Sequence, residues 1–215
     1  MRHHDYITLA ALRQRFASKA LFGYNSHGLH FIQPASHYHT EEDPTMDLAK
    51  MIRDVPDFPV KGILFKDITT LIQDPVALKN AIDRMAKPYK GKAIDLVAAI
   101  ESRGFIFGAP LAYNLGAGFV PVRKPNKLPA DTISASYTLE YGTNTLELHK
   151  DAVKPGQKVL LVDDLLATGG SARAAATLIE QLGGEVVGIV FLIDLTFLNG
   201  IENLKGYDVK SIIQF

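Results

Sequence analysis

The sequence contains no cysteine. Disulfides and thiolate metal sites are thereby excluded, and a cytoplasmic home is the natural expectation. Charge of neither sign is in excess, since 23 Lys and Arg face 23 Asp and Glu for a formal net charge of +0. Without a general basic field, no nucleic-acid partner is expected. No apolar stretch approaches the roughly 18–20 residues that a membrane span needs, so no membrane partner is expected either. What is present is 215 residues, 47% apolar and 21% charged. That suffices for one full core, and a second autonomous domain is not expected.

Residues 1–45 differ from the remainder. They hold most of the histidines, with Arg13, Arg15 and Lys19, and show neither alternation nor a clear helical stripe. They lack the long apolar region of a secretory signal, and Asp5 counts against a basic targeting peptide. The segment reads as a dispensable or partly disordered extension, its histidines scattered over a surface rather than gathered on a metal. The domain proper is expected over 46–215.

From Met46 the pattern is regular. "MDLAKMIRDV" reads as a short helix stopped before Pro56 and Pro59. "DPVALKNAIDRMA" offers Asp74 as N-cap, Pro75 at the first helical position, and an apolar face of Leu78, Ala81, Ile82 and Met85. "IDLVAAI" (94–100) suits a strand buried on both faces. "RGFIFGAPLAYNLG" reads as a buried helix ending near Gly116. "GFVPVR" (118–123), "KVLLVD" (158–163), "EVVGIVFLID" (185–194) and "VKSIIQF" (209–215) are further strands. "SARAAATLIEQLGG" places Ala172, Ala175, Ala176, Ile179 and Leu182 on one helical face, with Gly183 or Gly184 at its end. Such alternation predicts an α/β fold with a mostly parallel central sheet flanked by helices. One segment breaks the rhythm. "TISASYTLEYGTNTLELHK" (132–150) alternates, turns at "GTN" and alternates again, which predicts a β-hairpin that projects from the sheet as a flap.

"LLVDDLLATGGS" (160–171) carries the chemistry. A buried strand ends in Asp163 and Asp164, a loop follows, and then a helix starts. Open α/β sheets bind ligands at such a place. Backbone N–H groups from Ala167 to Ser171 with the helix dipole favour a phosphate monoester. Gly169 and Gly170 permit close approach, and Thr168 and Ser171 add hydroxyls. No lysine follows the glycines, so this is not the Walker pattern, and it is not GxGxxG. The carboxylates cannot bind phosphate but accept hydrogen bonds from hydroxyls. A ribose 5-phosphate would reconcile the two, with phosphate at the loop and the diol at the aspartates.

"VLLVDDLLATGGS" resembles the phosphoribosyl-diphosphate signature of the type I phosphoribosyltransferases. "ESRGFIFGAPLA", "VRKPNKLP", "SYTLEYG" and "DFPVKGILFKDIT" extend the resemblance, in order and approximate spacing, to the adenine phosphoribosyltransferase family over about residues 46–215. The resemblance implies the type I fold with a small N-terminal hood. It implies transfer of the 5-phosphoribosyl group of 5-phosphoribosyl 1-diphosphate to adenine, giving AMP and diphosphate, in a homodimer with Mg²⁺ held mainly by the substrate rather than by direct protein ligands. It implies Asp163 and Asp164 at the ribose hydroxyls and Ala167, Thr168, Gly169, Gly170 and Ser171 at the 5-phosphate. Ser102, Arg103, Arg123, Lys124 and Lys127 would serve the diphosphate, the last three reaching a neighbouring subunit's site, with a cis peptide expected at Glu101–Ser102. Glu140 would be the acid/base near the purine, Arg103 a further catalytic group. Leu64, Phe65, Lys66 and Leu165 would hold adenine, Phe65 and Leu165 as a sandwich and Leu64 through nearby backbone. Asp67 reads equally as a helix cap or a support for the base pocket. Lys66 stands where the family commonly has arginine, and Glu101 where it often has aspartate. Two alternatives remain at this stage: a phosphoribosyltransferase for another base, and a regulator that binds the sugar diphosphate without turnover. No helix-turn-helix pattern supports the regulator.

Overall fold

The computed structural model describes residues 45–139 and 142–215. At its centre is a five-stranded sheet in the order β4-β3-β7-β8-β9. The strands are β3 (Leu96–Ile100), β4 (Gly118–Val122), β7 (Lys158–Leu166), β8 (Glu185–Asp194) and β9 (Val209–Gln214). Every pairing among them is parallel. This is the expected sheet, and its central strands are apolar between their ends because helices cover both faces, the exceptions being the acids Asp163, Asp164 and Asp194 toward the carboxyl ends.

On one face lie α2 (Pro75–Ala86) and α3 (Gly104–Leu115). The first is started by Asp74, whose side chain accepts from Val76 N and Ala77 N, with Pro75 at the first turn. Its Ala81 and Met85 are buried, and Leu78 and Ile82 pack beside them. The second ends at Gly116, which adopts a left-handed φ of 67° that glycine takes without steric cost. Gly108 brings α3 close to the sheet, since a Cβ there would come within 2.5 Å of the Ala99 Cβ. On the other face lies α4 (Gly170–Gln181), whose Ala172, Ala175, Ala176 and Ile179 are buried.

Two regions differ from the expected pattern. Residues 46–55 do not form one helix. Leu48–Met51 is a single 3-10 turn, and Arg53–Pro56 is a strand, β1, paired antiparallel with β2 (Leu64–Asp67). Pairing with β2 overrides the helical pattern of a stretch too short to sustain a helix alone. This ribbon, followed by the short helix α1 (Thr69–Ile72), is the N-terminal hood.

The second difference is the hairpin of β5 (Thr132–Leu139) and β6 (Gly142–His149). Leu139 lies opposite Gly142, so "GTN" begins β6 rather than forming the turn. The hairpin is a sheet of its own, but its apolar face is built into the core. Leu146 and Leu148 are buried with Ala174 and Leu178 of α4, and Arg123 and Glu147 exchange both backbone hydrogen bonds.

Candidate active site

β7 runs three residues beyond the predicted strand end. β3 pairs with it only as far as Val162, whereas β8 follows it to Leu166. From Asp163 onward one edge of β7 is therefore open, where the chain leaves β3. There the Glu101–Ser102 peptide is cis, as expected, and Arg103 and Gly104 lead into α3. Gly104 has to be small, because a Cβ would stand 2.9 Å from Asp163 Oδ1.

Both carboxylates are buried, Asp163 at 8% and Asp164 at 4% exposure. Arg103 Nε meets Asp164 Oδ2 at 2.6 Å, and Asp163 Oδ1 accepts from Asp164 N at 2.9 Å. Burial pushes the Asp163 carboxyl well above the usual carboxylate range, and the neighbouring Asp164 pushes it further. Burial also raises Asp164, while the Arg103 guanidinium opposes that rise. The pair thus resists full ionisation. Burial and mutual repulsion disfavour a full double negative charge, and the Arg103 guanidinium offsets what remains. This is how two aspartates can stand next to an anion site.

A cavity of about 340 Å³ opens above the pair. It is lined by Glu101, Ser102, Arg103, Lys124, Asp163, Asp164, Leu165 and Ser171, with Tyr137 and Leu146 from the hairpin. Four separate stretches of sequence meet here. The loop after β7 passes through Gly169, at φ 79°, into α4, whose first backbone N–H groups are unpaired within the helix. A second cavity of about 380 Å³ is apolar and belongs to the hood, with Val55, Phe58, Phe65, Asp67, Ile68, Thr69 and Arg103 around it. Phe58 and Phe65 meet edge to face at 5.1 Å between ring centres. Arg103 belongs to both walls, and its guanidinium lies 5.6 Å from the Phe65 ring centre.

Asp67 turns out to cap and to line the pocket at once. Oδ1 accepts from Thr69 N at 2.9 Å and Oδ2 accepts from Arg53 Nε at 3.0 Å, while the residue lines the hood cavity. The Thr69 N–H, then Arg53, hold its carboxyl down at about 2.

Other expected site residues are placed differently. Arg123 forks onto Glu101, Nε to Oε2 at 3.1 Å and a terminal nitrogen to Oε1 at 3.2 Å, and also donates to Lys127 O at 2.9 Å. It braces the Glu101–Ser102 turn and lines neither cavity of this chain. Lys127 is exposed and lines neither cavity. Lys66 follows Phe65 in β2, so its side chain leaves the opposite face. It pairs with Asp54 Oδ1 at 2.7 Å and lies over the Phe215 ring at 3.8 Å. The Lys66 side chain is thus directed to Asp54 and Phe215 and does not line the hood cavity. Phe65 and Leu165 line separate cavities that share Arg103. Leu64 is exposed on β2. Glu140 lies outside the described residues. The sequence reading missed Phe58 and its cis bond to Pro59, Tyr137 as cavity wall, and the turn behind the glycine loop. "DFPV" was a visible signal for the first; the others depend on contacts distant in sequence.

A parallel sheet whose central strand delivers paired carboxylates to a cavity, with Ser171 at the end of the glycine loop in its wall and Arg103 just beyond the neighbouring strand, is the arrangement of the phosphoribosyltransferase class. Comparison agrees: the phosphoribosyl transferase domain family matches residues 70–212. An adenine phosphoribosyltransferase of Acetivibrio thermocellus is 60% identical over 171 residues, 79% of this chain and 100% of that protein. The crystal structure of adenine phosphoribosyltransferase from Thermoanaerobacter pseudethanolicus superposes with a TM-score of 0.76 at 60% identity, covering 78% of this chain and 98% of that one. The Saccharomyces cerevisiae enzyme, complexed with adenine and an imino-altritol bisphosphate, gives a TM-score of 0.72 at 40% identity over 76% of this chain and 95% of its own. The chain belongs to the adenine phosphoribosyltransferase family.

Proposed function

We propose that this chain transfers the 5-phosphoribosyl group of 5-phosphoribosyl 1-diphosphate to adenine, releasing diphosphate and forming AMP. The observation that carries the reading is the single polar cavity in which Asp163, Asp164 and Ser171 meet Ser102, Arg103 and Lys124. The loop of Ala167, Thr168, Gly169, Gly170 and Ser171 takes the 5-phosphate. The aspartates take the ribose hydroxyls and face the positive charge that grows on the ring as the C1–oxygen bond breaks. Ser102, Arg103 and Lys124 receive the leaving diphosphate. Arg103 begins paired with Asp164 and is shared between acid and leaving group.

The base occupies the hood cavity beside Phe65. A two-stranded ribbon leaves each strand with one row of backbone groups outside the ladder. Leu64 and Lys66, two residues apart, present theirs to one edge, and this spacing suits the adjacent donor and acceptor of adenine. Leu165, in the wall of the polar cavity across Arg103, meets the ring's other side where the ligand bridges the two cavities, and Glu140 is the acid/base at the purine. Closure of the hairpin tip excludes water.

Magnesium fits this donor set. Among the described residues no group of three or more His, Asp or Glu side chains is placed to hold a metal ion. Mg²⁺ needs only one or two carboxylates when substrate phosphates supply the rest, and Asp163 and Asp164 are hard oxygen donors at the right end of the cavity. When bound it neutralises the diphosphate. We place the protein in the cytoplasm as a homodimer. Among the described residues no helix is long and apolar enough to cross a membrane. Exposed Tyr113 and the Phe105–Phe119 edge pair give α3 and β4 an outer aromatic patch that suits a second copy. The test is AMP formation from the sugar diphosphate with adenine, hypoxanthine and orotate offered in turn. Turnover with adenine is expected, and turnover with another base alone would overturn the reading.

A further inference from the structure

The glycine loop is held from behind. A Cβ on Gly169 would overlap the Gly200 carbonyl oxygen, and a Cβ on Gly200 would overlap that of Ala167. The two glycines therefore let the loop lie backbone to backbone against the 3-10 turn Gly200–Leu204. Across this contact Asn203 Nδ2 donates to Thr168 O at 2.7 Å. Beneath it, Leu195 N donates to Leu166 O at 2.9 Å and fixes where the loop departs from β7.

In a planar trans peptide the carbonyl of one residue and the N–H of the next point in opposite directions. With the Thr168 carbonyl turned back to Asn203, the Gly169 N–H is aimed away from the 200–204 turn. Nothing local enforces that orientation. Gly169 sits at φ 79° and, lacking a Cβ, tolerates either sign of φ, so rotation of this peptide meets little local resistance. The external bond sets the direction. Gly200 supplies the contact and Asn203 the polarity.

We propose that Asn203 is a positioning residue for phosphoribosyl binding: it locks the Thr168–Gly169 peptide so that the Gly169 N–H faces the 5-phosphate. The inference rests on the assignment of the 167–171 loop to that phosphate. It explains why a carbonyl at the edge of an anion site is turned away from the anion. It also predicts that the effect is confined to the phosphate end of the ligand.

The test compares Asn203→Ala and Asn203→Leu, the second close to asparagine in size but without a donor, in the full chain. Ribose 5-phosphate, inorganic diphosphate and adenine are the probes. Ribose 5-phosphate affinity should fall about tenfold, as for a lost directing hydrogen bond. KM for the sugar diphosphate should rise in parallel, while diphosphate affinity, adenine KM and Tm stay at parent values. Asn203→Gln, which keeps an amide on an exposed turn, should restore ribose 5-phosphate binding. Unchanged ribose 5-phosphate binding in Ala and Leu overturns the proposal. So does an equal loss for all three probes with a lowered Tm, which is a folding role. Ser171→Ala separates the premise: if it too leaves ribose 5-phosphate binding unchanged, the loop assignment fails, whereas loss there with none at Asn203 refutes the tether alone.

Discussion

The two cavities that meet at Arg103 are built on different principles. The polar one stands on the ends of parallel strands, and its acids are buried and anchored through β7, Arg103 and a helix start. The apolar one stands on a ribbon of four-residue strands with Phe58 and Leu64 about half exposed. The first positions fixed charge, which requires a rigid frame because misplaced buried charge is expensive. The second covers a flat, neutral ring, for which contact area and backbone edges suffice. The proposed substrates divide the same way, with charged sugar assigned to one side of Arg103 and aromatic base to the other.

The sharpest way to break this division is Asp164→Asn. With the cationic sugar losing its facing carboxylate, kcat should fall by about 10²–10³-fold, as when a preorganised electrostatic group is removed. Adenine KM should stay near its parent value; a rise in adenine KM matching the loss in kcat would merge the two cavities into one functional unit. Phe65→Ala probes the other wall. Loss of base stacking worth about 1–3 kcal/mol should raise adenine KM by roughly fivefold to a hundredfold. Ribose 5-phosphate affinity, read by calorimetry, should not change, and its loss would contradict the assignment.

A smaller effect is one of sign. A carboxyl whose folded pKa is raised contributes full stability below its unfolded value, near 3.8, and that contribution is lost as pH rises through the folded value. Asp163→Asn cannot ionise. Its Tm should therefore gain on the parent's as pH rises above about 4, the margin widening toward the raised folded value. A margin that shrinks with pH would mean the acid is ionised without penalty. The smallest expected effect is from removal of residues 1–45. Every residue assigned to either cavity lies beyond them, so a chain begun at Met46 should keep kcat/KM within about twofold, well under 1 kcal/mol. A larger loss would add the N-terminal segment to one of the walls.

How much of this was legible in sequence follows the same division. Asp163, Asp164 and the 167–171 loop are contiguous, and strand, acids, glycines and helix state their geometry in order. The hood was harder. "MDLAKMIRDV" has helical spacing, and only its pairing with β2 makes half of it strand. The resemblance assigned Arg123 to a diphosphate, and its pairing with Glu101 was not legible because that residue is 22 positions away. Lys66 was expected at the base only through the resemblance, as it stands where the family commonly has arginine. One-residue alternation in β2 turns it to Asp54 and Phe215 instead, and Phe215 lies at the far end of the chain. The hairpin was recognised, but alternation alone could not show that α4 would cover its apolar face.

The central claim is that the backbone edge of the hood reads the base, independently of the side chain behind it. The most direct measurement is kcat/KM for adenine and for hypoxanthine, in the parent and in Lys66→Met. Hypoxanthine reverses donor and acceptor at both C6 and N1, and each buried mismatch costs roughly 1–3 kcal/mol. Adenine should be preferred by at least about tenfold to a hundredfold in both proteins. Comparable values for the two bases in the parent, or a preference that collapses in Lys66→Met, would contradict it.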